Sequence, residues 1–179
     1  MRQLWMIFVL ASAARGADVT LWMAGETLVP NSVLWMALHD ASRMFAAIGV
    51  GLAWKIRGPA TSDDGVRIPV KFVTGIQGHP NAMAFANPFD PIPVVTVMYD
   101  RILFATERQP NTRATILAHT LIHEIGHVLM RSNAHSPDGI MKAHWSTSDY
   151  SRMSYRPLSF CRSDVEMIRG TLGLTAMVH

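Results

Sequence analysis

Two histidines and a glutamate in the middle of the chain have the types and the spacing of a metal site. His123 and His127 are four residues apart, so on an α-helix they are neighbours on one face and can reach a single ion. Imidazole nitrogens in a tetrahedral set are ligands that Zn²⁺ prefers. Glu124 lies about 100° around the helix from His123, so it can flank the metal and take a proton from a metal-bound water. The pattern predicts a hydrolytic zinc centre.

A helix is expected to position these side chains. Apolar residues recur at helical spacing on one side of the segment, and the histidines and the glutamate fall on the other. The apolar stripe consists of Ala114, Leu117, Ala118, Leu121, Ile125, Val128 and Leu129. Asn111 or Thr112, just after Pro110, is expected to cap the helix about three turns before the site. His119, one turn before His123, is expected at the surface or behind the ligands. The alternative is a core helix with two incidental histidines.

The residues that follow the helix carry a family resemblance. His135-Ser136 is followed by Ile140-Met141, and together with the H-E-x-x-H pattern this run resembles the matrixin-like branch of the metzincin zinc peptidases. In that clan the helix ends at a glycine, a third histidine lies six residues after the second, and a methionine turn lies beneath the metal. Two positions depart from the pattern: Met130 stands where the family has glycine, and Asn133 stands where the third histidine is counted.

We interpret the departure as a turn lengthened by two residues, which makes His135 the third zinc ligand. Asn133 tolerates the left-handed conformation and is expected to end the helix, and its amide oxygen is a poor zinc ligand. The stretch from His123 to Trp145 also resembles exported bacterial proteins with a similarly lengthened motif, which implies a subgroup rather than a decayed enzyme. His144 is the replacement ligand if the insertion lies elsewhere.

The resemblance implies a zinc-dependent endopeptidase that acts on a peptide or protein substrate. Glu124 would be the general base for a zinc-bound water attacking the peptide carbonyl. Met141 would form an apolar floor beneath the ligands without binding the metal. Tyr150 or Tyr155 would supply an additional donor to the oxyanion.

Two other interpretations remain open. In one, a carboxylate is the third ligand, from Asp138, Asp149 or Glu166, although the methionine that follows His135 disfavours this. In the other, the chain is a non-catalytic, exported zinc-binding or interaction module on the same fold. Glu124 disfavours that alternative, because a structural zinc site is closed and needs no base.

The N-terminus resembles a secretory signal peptide. Met1-Arg2-Gln3 is followed by an unbroken apolar run over residues 4–10 and then by small residues. Cleavage is expected after residue 13, and cleavage as late as residue 17 is also compatible; the alternative is a buried first strand. The run is shorter than the roughly 20 residues that span a bilayer. We therefore expect a secreted or periplasmic protein without stable membrane insertion, whose catalytic domain comprises residues 18–179.

The composition favours one folded domain. Hydrophobic residues make up 49% of the 179 residues, which argues against a disordered chain. The formal net charge is only +3 and no Lys/Arg cluster is present, so nucleic-acid binding is not expected. Cys161 is the sole cysteine, which excludes an internal disulfide and favours a buried apolar role for its side chain. A monomer is favoured.

The order of predicted elements completes an α+β fold. We expect a zincin or metzincin-like single domain with a twisted mixed sheet of about four to five strands, an antiparallel edge strand, an active-site helix and a C-terminal helix. The glycine-, proline- and asparagine-rich loop over residues 75–93 is expected to supply the upper rim of the cleft through residues 83–88. The elements are strands at 19–23, 50–56 and 66–73, a helix from Asn31 or Ser32 to about Ile48, an antiparallel edge strand at 94–99, a short helix or turn at 100–107, and a last helix at 164–172 capped by Ser163 and Glu166.

Overall fold

The computed structural model describes residues 18–56, 65–76, 78–79 and 82–174. The predicted signal peptide at residues 1–13, together with its alternative as a buried strand, lies outside the described residues. The same is true of most of the predicted polar loop at residues 59–65.

A five-stranded mixed sheet forms one layer of the described domain. Its spatial order is β2-β1-β3-β5-β4, and all neighbours are parallel except β4, which runs antiparallel to β5. The side chains of β5 are buried on both faces, as expected for an inner strand of a parallel sheet. The strands are β1 (Val19–Ala24), β2 (Leu52–Ile56), β3 (Val66–Val73), β4 (Ala84–Phe85) and β5 (Val95–Met98).

Five α-helices accompany the sheet in the part of the chain that the structure describes. The helices α1 and α3 pack on each other, and α3 also contacts β4, β5 and α5. Among the helices in these described ranges, none is long and apolar enough to cross a membrane. The helices are α1 (Asn31–Ala46), α2 (Tyr99–Ala105), α3 (Arg113–Met130), α4 (Thr147–Met153) and α5 (Arg162–Thr171).

The hydrophobic core joins α1, the sheet and α3. The apolar face of α1 lies in this core, where Leu34, Ala37, Leu38, Ala41, Met44 and Phe45 are buried. Pro69 lies one residue before the β3–β5 pairing begins at Val70, so its missing N–H falls where β3 has not yet gained its second neighbour. The sheet order and the helices described above confirm the predicted α+β class and mixed sheet.

Two expectations about individual elements are wrong. The segment predicted as the antiparallel edge strand, residues 94–99, contains the inner parallel strand β5, and the edge position belongs to the two-residue strand β4. The last helix begins at Arg162 rather than Asp164. Its N-terminal contact is a bond from the Cys161 N–H to the Asp164 carboxylate at 2.9 Å, not one between Ser163 and Glu166.

Candidate metal centre and cleft

The helix α3 carries His123 and His127 on adjacent turns near its C-terminal end. It begins after the turn Pro110–Thr112, close to the predicted cap, although Thr112 makes no side-chain cap bond to the helix. Nearly every residue from Ala114 to Met130 is buried, because α1, the sheet and α5 surround the helix. The apolar stripe therefore fixes the helix in the core and orients both histidines.

Three histidines come together at the end of this helix. His135, on the loop after α3, brings one nitrogen within 4.8 Å of nitrogens of both helical histidines. Its ring centroid lies 5.3 Å from that of His123 and 4.8 Å from that of His127. The lengthened loop thus brings His135, although two residues late in the sequence, to the two helical histidines.

The hydrogen bonds of the two helical histidines suit a cation. The Nδ1 atom of His123 lies 2.9 Å from the Ile140 carbonyl oxygen, and Nδ1 of His127 lies 2.8 Å from that of Ser132. Carbonyls accept, so each Nδ1 carries the proton and each Nε2 presents a lone pair. These two Nε2 atoms lie 3.0 Å apart without a proton between them. Zn–N bonds of about 2.0–2.1 Å place two nitrogens of a tetrahedral ion roughly 3.3 Å apart, close to this separation, so the donor set fits Zn²⁺.

Burial keeps these imidazoles neutral, which is the form that binds metal. Desolvation, together with smaller effects of the two neighbouring imidazoles, lowers the pKa of His123 to about 4, and the bond to the Ile140 carbonyl opposes part of this shift. Burial lowers the pKa of His127 below the ordinary value, and partial desolvation does the same for the more exposed His135. All three rings therefore present free nitrogen lone pairs at neutral pH.

Glu124 lies beside the histidines with its side chain turned into the cleft. It is 8% exposed, and burial raises its carboxyl pKa to about 7. The backbone N–H of Ala86, directly after β4, donates to this carboxylate and partly offsets the shift. Glu124 of α3 is therefore hydrogen-bonded to the residue that follows the edge strand. Its pKa suits proton transfer near neutral pH.

The helix ends differently from the prediction. Arg131, not Asn133, adopts the left-handed conformation, with φ 50° and ψ 44°. The N–H of Arg131 bonds the Val128 carbonyl and the N–H of Ser132 bonds the His127 carbonyl, both at 3.2 Å, which is the Schellman pattern. Met130 therefore continues the helix where the family has its terminating glycine, and Asn133 is an exposed residue of the cleft lining.

Met141 lies beneath the helix between the two histidines. Its side chain is fully buried, and its carbonyl accepts the Ser136 N–H at 2.8 Å, which closes the turn that begins after His135. Within this turn Gly139 has φ 76°, and a Cβ there would lie 2.3 Å from the Ser159 carbonyl oxygen. The turn therefore needs glycine at this position, and its Ile140 carbonyl is the acceptor for His123.

A buried aspartate on α5 supports the same turn. Asp164 is 1% exposed and accepts a hydrogen bond from the Ser136 hydroxyl at 2.6 Å. Its negative charge also favours the protonated form of His127. Sequence reasoning missed this residue. The available signal was its place in the first turn of the last helix, where an acidic side chain usually serves as a cap.

The three-histidine group opens into a cleft of about 600 Å³. Residues around β4 line this cleft, and the segment that follows Met141 contributes Trp145 and Tyr150 to the lining. The indole of Trp145 meets the His123 ring edge-on at 5.7 Å and donates to the Ile140 carbonyl at 3.2 Å. Trp145 therefore packs against the metal-facing ring as well as lining the cleft.

The remaining predicted site residues separate into those inside and those outside the cleft. Tyr150 lines the cleft, whereas Tyr155 is 79% exposed and is not among the lining residues. His144 lines the cleft, and its positive charge would lower the pKa of His135, but the three-histidine group forms without it.

His119 is neither at the surface nor in the histidine group. It is 1% exposed, its Nδ1 donates to the Thr115 carbonyl at 2.7 Å, and its Nε2 accepts the Leu158 N–H at 3.1 Å. The expectation of a surface position is therefore wrong. His119 connects α3 to the segment that precedes α5.

The carboxylates considered as third ligands are not part of the histidine group. Asp149 pairs with Lys142 and Arg152, and Glu166 pairs with Arg162. The hydrogen bond and positive charge of Lys142 hold the Asp149 pKa well below its usual range. The geometry therefore favours three imidazoles over a mixed ligand set.

Two solved structures share this architecture. The archaemetzincin of Methanopyrus kandleri matches with a TM-score of 0.59 and 14% identity, over 88% of this chain and 96% of its own. A zinc-dependent peptidase of Methanocorpusculum labreanum matches with a TM-score of 0.57 and 13% identity, over 84% of this chain and 99% of its own. The sequence matches no protein-family model and no curated protein. At these identities the similarity establishes a shared, metzincin-like fold.

Proposed function

We propose that this chain is a zinc-dependent endopeptidase in which His123, His127 and His135 hold Zn²⁺ and Glu124 is the general base. One observation carries the proposal: three imidazole nitrogens converge within 4.8 Å beside a buried carboxylate in an open cleft. The shared fold with zinc-dependent peptidases supports the same reaction class.

The protein's own contribution is to hold three neutral ligands and leave one side of the site open. Carbonyl oxygens of Ile140 and Ser132 fix two of the rings, and the loop directly before the turn that ends at Met141 carries the third. Zn²⁺ bound there supplies a Lewis acid that polarises a peptide carbonyl and lowers the pKa of a water molecule.

Glu124 moves the proton. Its carboxylate accepts a proton from the attacking water and then delivers it to the leaving amine, and a pKa near 7 suits both steps. The Ala86 N–H orients the carboxylate without neutralising it. The hydroxyl of Tyr150, which lines the cleft, is proposed to donate to the oxygen on which negative charge develops.

The edge strand β4 is proposed to bind the substrate backbone. It ends the sheet order, and Ala84, Phe85 and Ala86 line the cleft beside Glu124. An extended peptide can pair with such an edge through main-chain hydrogen bonds, which bind any sequence and hold the scissile carbonyl in place. This arrangement favours cleavage within a chain.

We further propose a matrixin-like, exported enzyme of the subgroup with the lengthened motif. His135-Ser136 and the turn to Met141 support the first part, and the N-terminal apolar run supports the second. Mass spectrometry of the protein from its native host should find an N-terminus between Ala14 and Asp18. A retained Met1 would contradict export.

Elemental analysis and an unbiased peptide-library digest test the enzyme proposal together. The purified protein should hold about one zinc per chain and cleave library peptides. Glu124→Gln should keep the zinc and lose about 10²- to 10⁴-fold in rate. Glu107→Gln is the matched control, because Glu107 is exposed and does not line the cleft.

Each alternative gives a different result in this experiment. Zinc without cleavage of any peptide would identify the non-catalytic zinc-binding module. Cleavage that is unchanged in Glu124→Gln would assign the activity to a contaminant. A protein without transition metal would reject the metalloenzyme altogether.

A further inference from the structure

One arginine of α2 holds the chain that leads into the edge strand. The Arg101 guanidinium donates to the carbonyl oxygens of Ile76 at 3.3 Å, Gly78 at 2.9 Å and Ala82 at 2.7 Å, and also to that of His79. All four acceptors are backbone carbonyls of the connection between β3 and β4. One side chain therefore bonds four backbone carbonyls of this connection at once.

The backbone of this connection needs outside support. Gly75, Gly78 and His79 all have positive φ, at 68°, 90° and 47°. For His79, which has a Cβ, this conformation is unfavourable and persists only where surrounding contacts enforce it. Arg101 bonds the His79 carbonyl directly, and its neighbour Asp100 accepts the Gly75 N–H at 3.0 Å. The first turn of α2 therefore supplies that support.

The supported segment is a wall of the cleft. The imidazole of His79 stacks on Phe85 of β4, with ring centroids 4.3 Å apart and 14° between the planes. His79, Ala82 and Phe85 all line the cleft. One residue beyond Phe85, the Ala86 N–H holds the Glu124 carboxylate. The connection that Arg101 holds therefore supplies part of the wall along which a substrate would bind.

We propose that Arg101 is a positioning residue for substrate binding: its guanidinium sets the His79–Phe85 wall and the β4 edge. The inference rests on the proposed peptidase function. The two terminal guanidinium nitrogens bond four carbonyls, whereas a lysine ammonium has three donors and no fixed plane, so lysine does not replace it. Contacts along the rim hold the substrate equally in the ground and transition states, so misplacing the rim raises KM and leaves kcat nearly unchanged.

Steady-state kinetics on a peptide found in the library digest test this role. Arg101→Ala and Arg101→Lys should each raise KM about tenfold, the equivalent of one net charge-assisted hydrogen bond, with kcat changed less than about twofold and zinc content unchanged. Arg108→Ala is the matched control, because Arg108 is an exposed arginine outside the cleft lining. An Arg101→Lys protein with wild-type KM would overturn the proposal, since charge alone would then suffice.

Chemical rescue distinguishes the guanidinium geometry from general packing. Millimolar ethylguanidinium should restore the KM of Arg101→Ala, whereas ethylammonium, which carries the charge without the planar fork, should not. Equal rescue by both ions, or by neither, would reject the assigned role.

Hydrogen exchange tests the same proposal without enzyme activity. In Arg101→Ala the amides of residues 82–86 should exchange faster than in wild type, while those of α3 stay protected. Unchanged exchange at 82–86, or loss of protection throughout the protein, would overturn it. If wild type cleaves no peptide, the enzyme proposal fails, and the exchange result still decides whether Arg101 positions the rim.

Discussion

Gly126 lies directly against Met141 beneath the candidate metal centre. A Cβ on Gly126 would come within 2.7 Å of Met141 Sδ and 3.2 Å of a ring carbon of Phe160. Because Gly126 stands one residue before His127, this contact fixes the distance between the ligand-bearing helix and the turn that follows His135. The glycine within the H-E-x-x-H segment is thus required by packing, not by backbone conformation.

Replacing Gly126 with alanine should therefore destabilise the protein. Overpacking costs typically about 1–3 kcal/mol, which outweighs the roughly 0.5–1 kcal/mol that alanine gains over glycine in a helix. Gly170→Ala in α5 is the control, because no atom lies within 4 Å of its Cβ position, so it should gain stability. Urea denaturation of both variants provides the measurement. Stabilisation of equal size at both positions would show that Met141 moves aside freely.

The position of α3 and its histidine pair could be predicted because local patterns determine them. The apolar stripe and the spacing of His123 and His127 are properties of a single helix. Placing His135 required the family resemblance as well, because nothing local relates a loop histidine to a helix. The same limit explains the missed partnership of Ser136 with Asp164, which are 28 residues apart and meet only through tertiary packing.

The edge strand shows why other parts could not be predicted. β4 has only two residues, too few for an alternating pattern, and tertiary pairing with β5 defines it. Residues 94–99 have strong β character, but the inner or edge place of a strand depends on its neighbours, not on its own sequence. The end of α3 also depends on tertiary structure. Asn133 has the better propensity for the left-handed conformation, yet Arg131 is the residue that adopts it.

Arg131→Gly should stabilise the protein by roughly 0.5–1 kcal/mol. The left-handed conformation costs a residue with a Cβ about 1–2 kcal/mol, and glycine removes this cost. Part of the stability gained is lost again, because glycine gives the unfolded chain more conformational freedom. The arginine is exposed, so little packing is lost. The shift in the urea midpoint at constant slope measures the effect.

Asn133→Gly provides the comparison for this variant. Asn133 is exposed and does not have positive φ, so glycine there should reduce stability slightly or leave it unchanged. If Asn133→Gly raised stability and Arg131→Gly lowered it, the helix would end at Asn133, as predicted from the sequence.

His135→Ala should weaken zinc binding far more than Asn133→Ala or His144→Ala. It removes one of three convergent nitrogens, whereas the other two side chains line the cleft outside the histidine group. Competition with a chromophoric chelator measures the affinity of each variant. The reverse ranking, with zinc lost in Asn133→Ala and retained in His135→Ala, would overturn the proposed ligand set.

In the metal-free protein, the buried Glu124 should make the free energy of unfolding depend on pH. Its folded pKa is about 7, against the ordinary 4.5 of the unfolded chain, so the folded state binds more protons between these values. Its contribution is therefore fully present below pH 4.5 and is lost as pH rises through 7. Without metal, Glu124→Gln should raise the free energy of unfolding above pH 7 on the order of 2 kcal/mol, and by much less below pH 4.5. Urea denaturation in chelator at both pH values, with Glu107→Gln as control, measures the difference. A Glu124→Gln effect of equal size at both pH values would mean that Glu124 does not become charged in the folded protein as its burial implies.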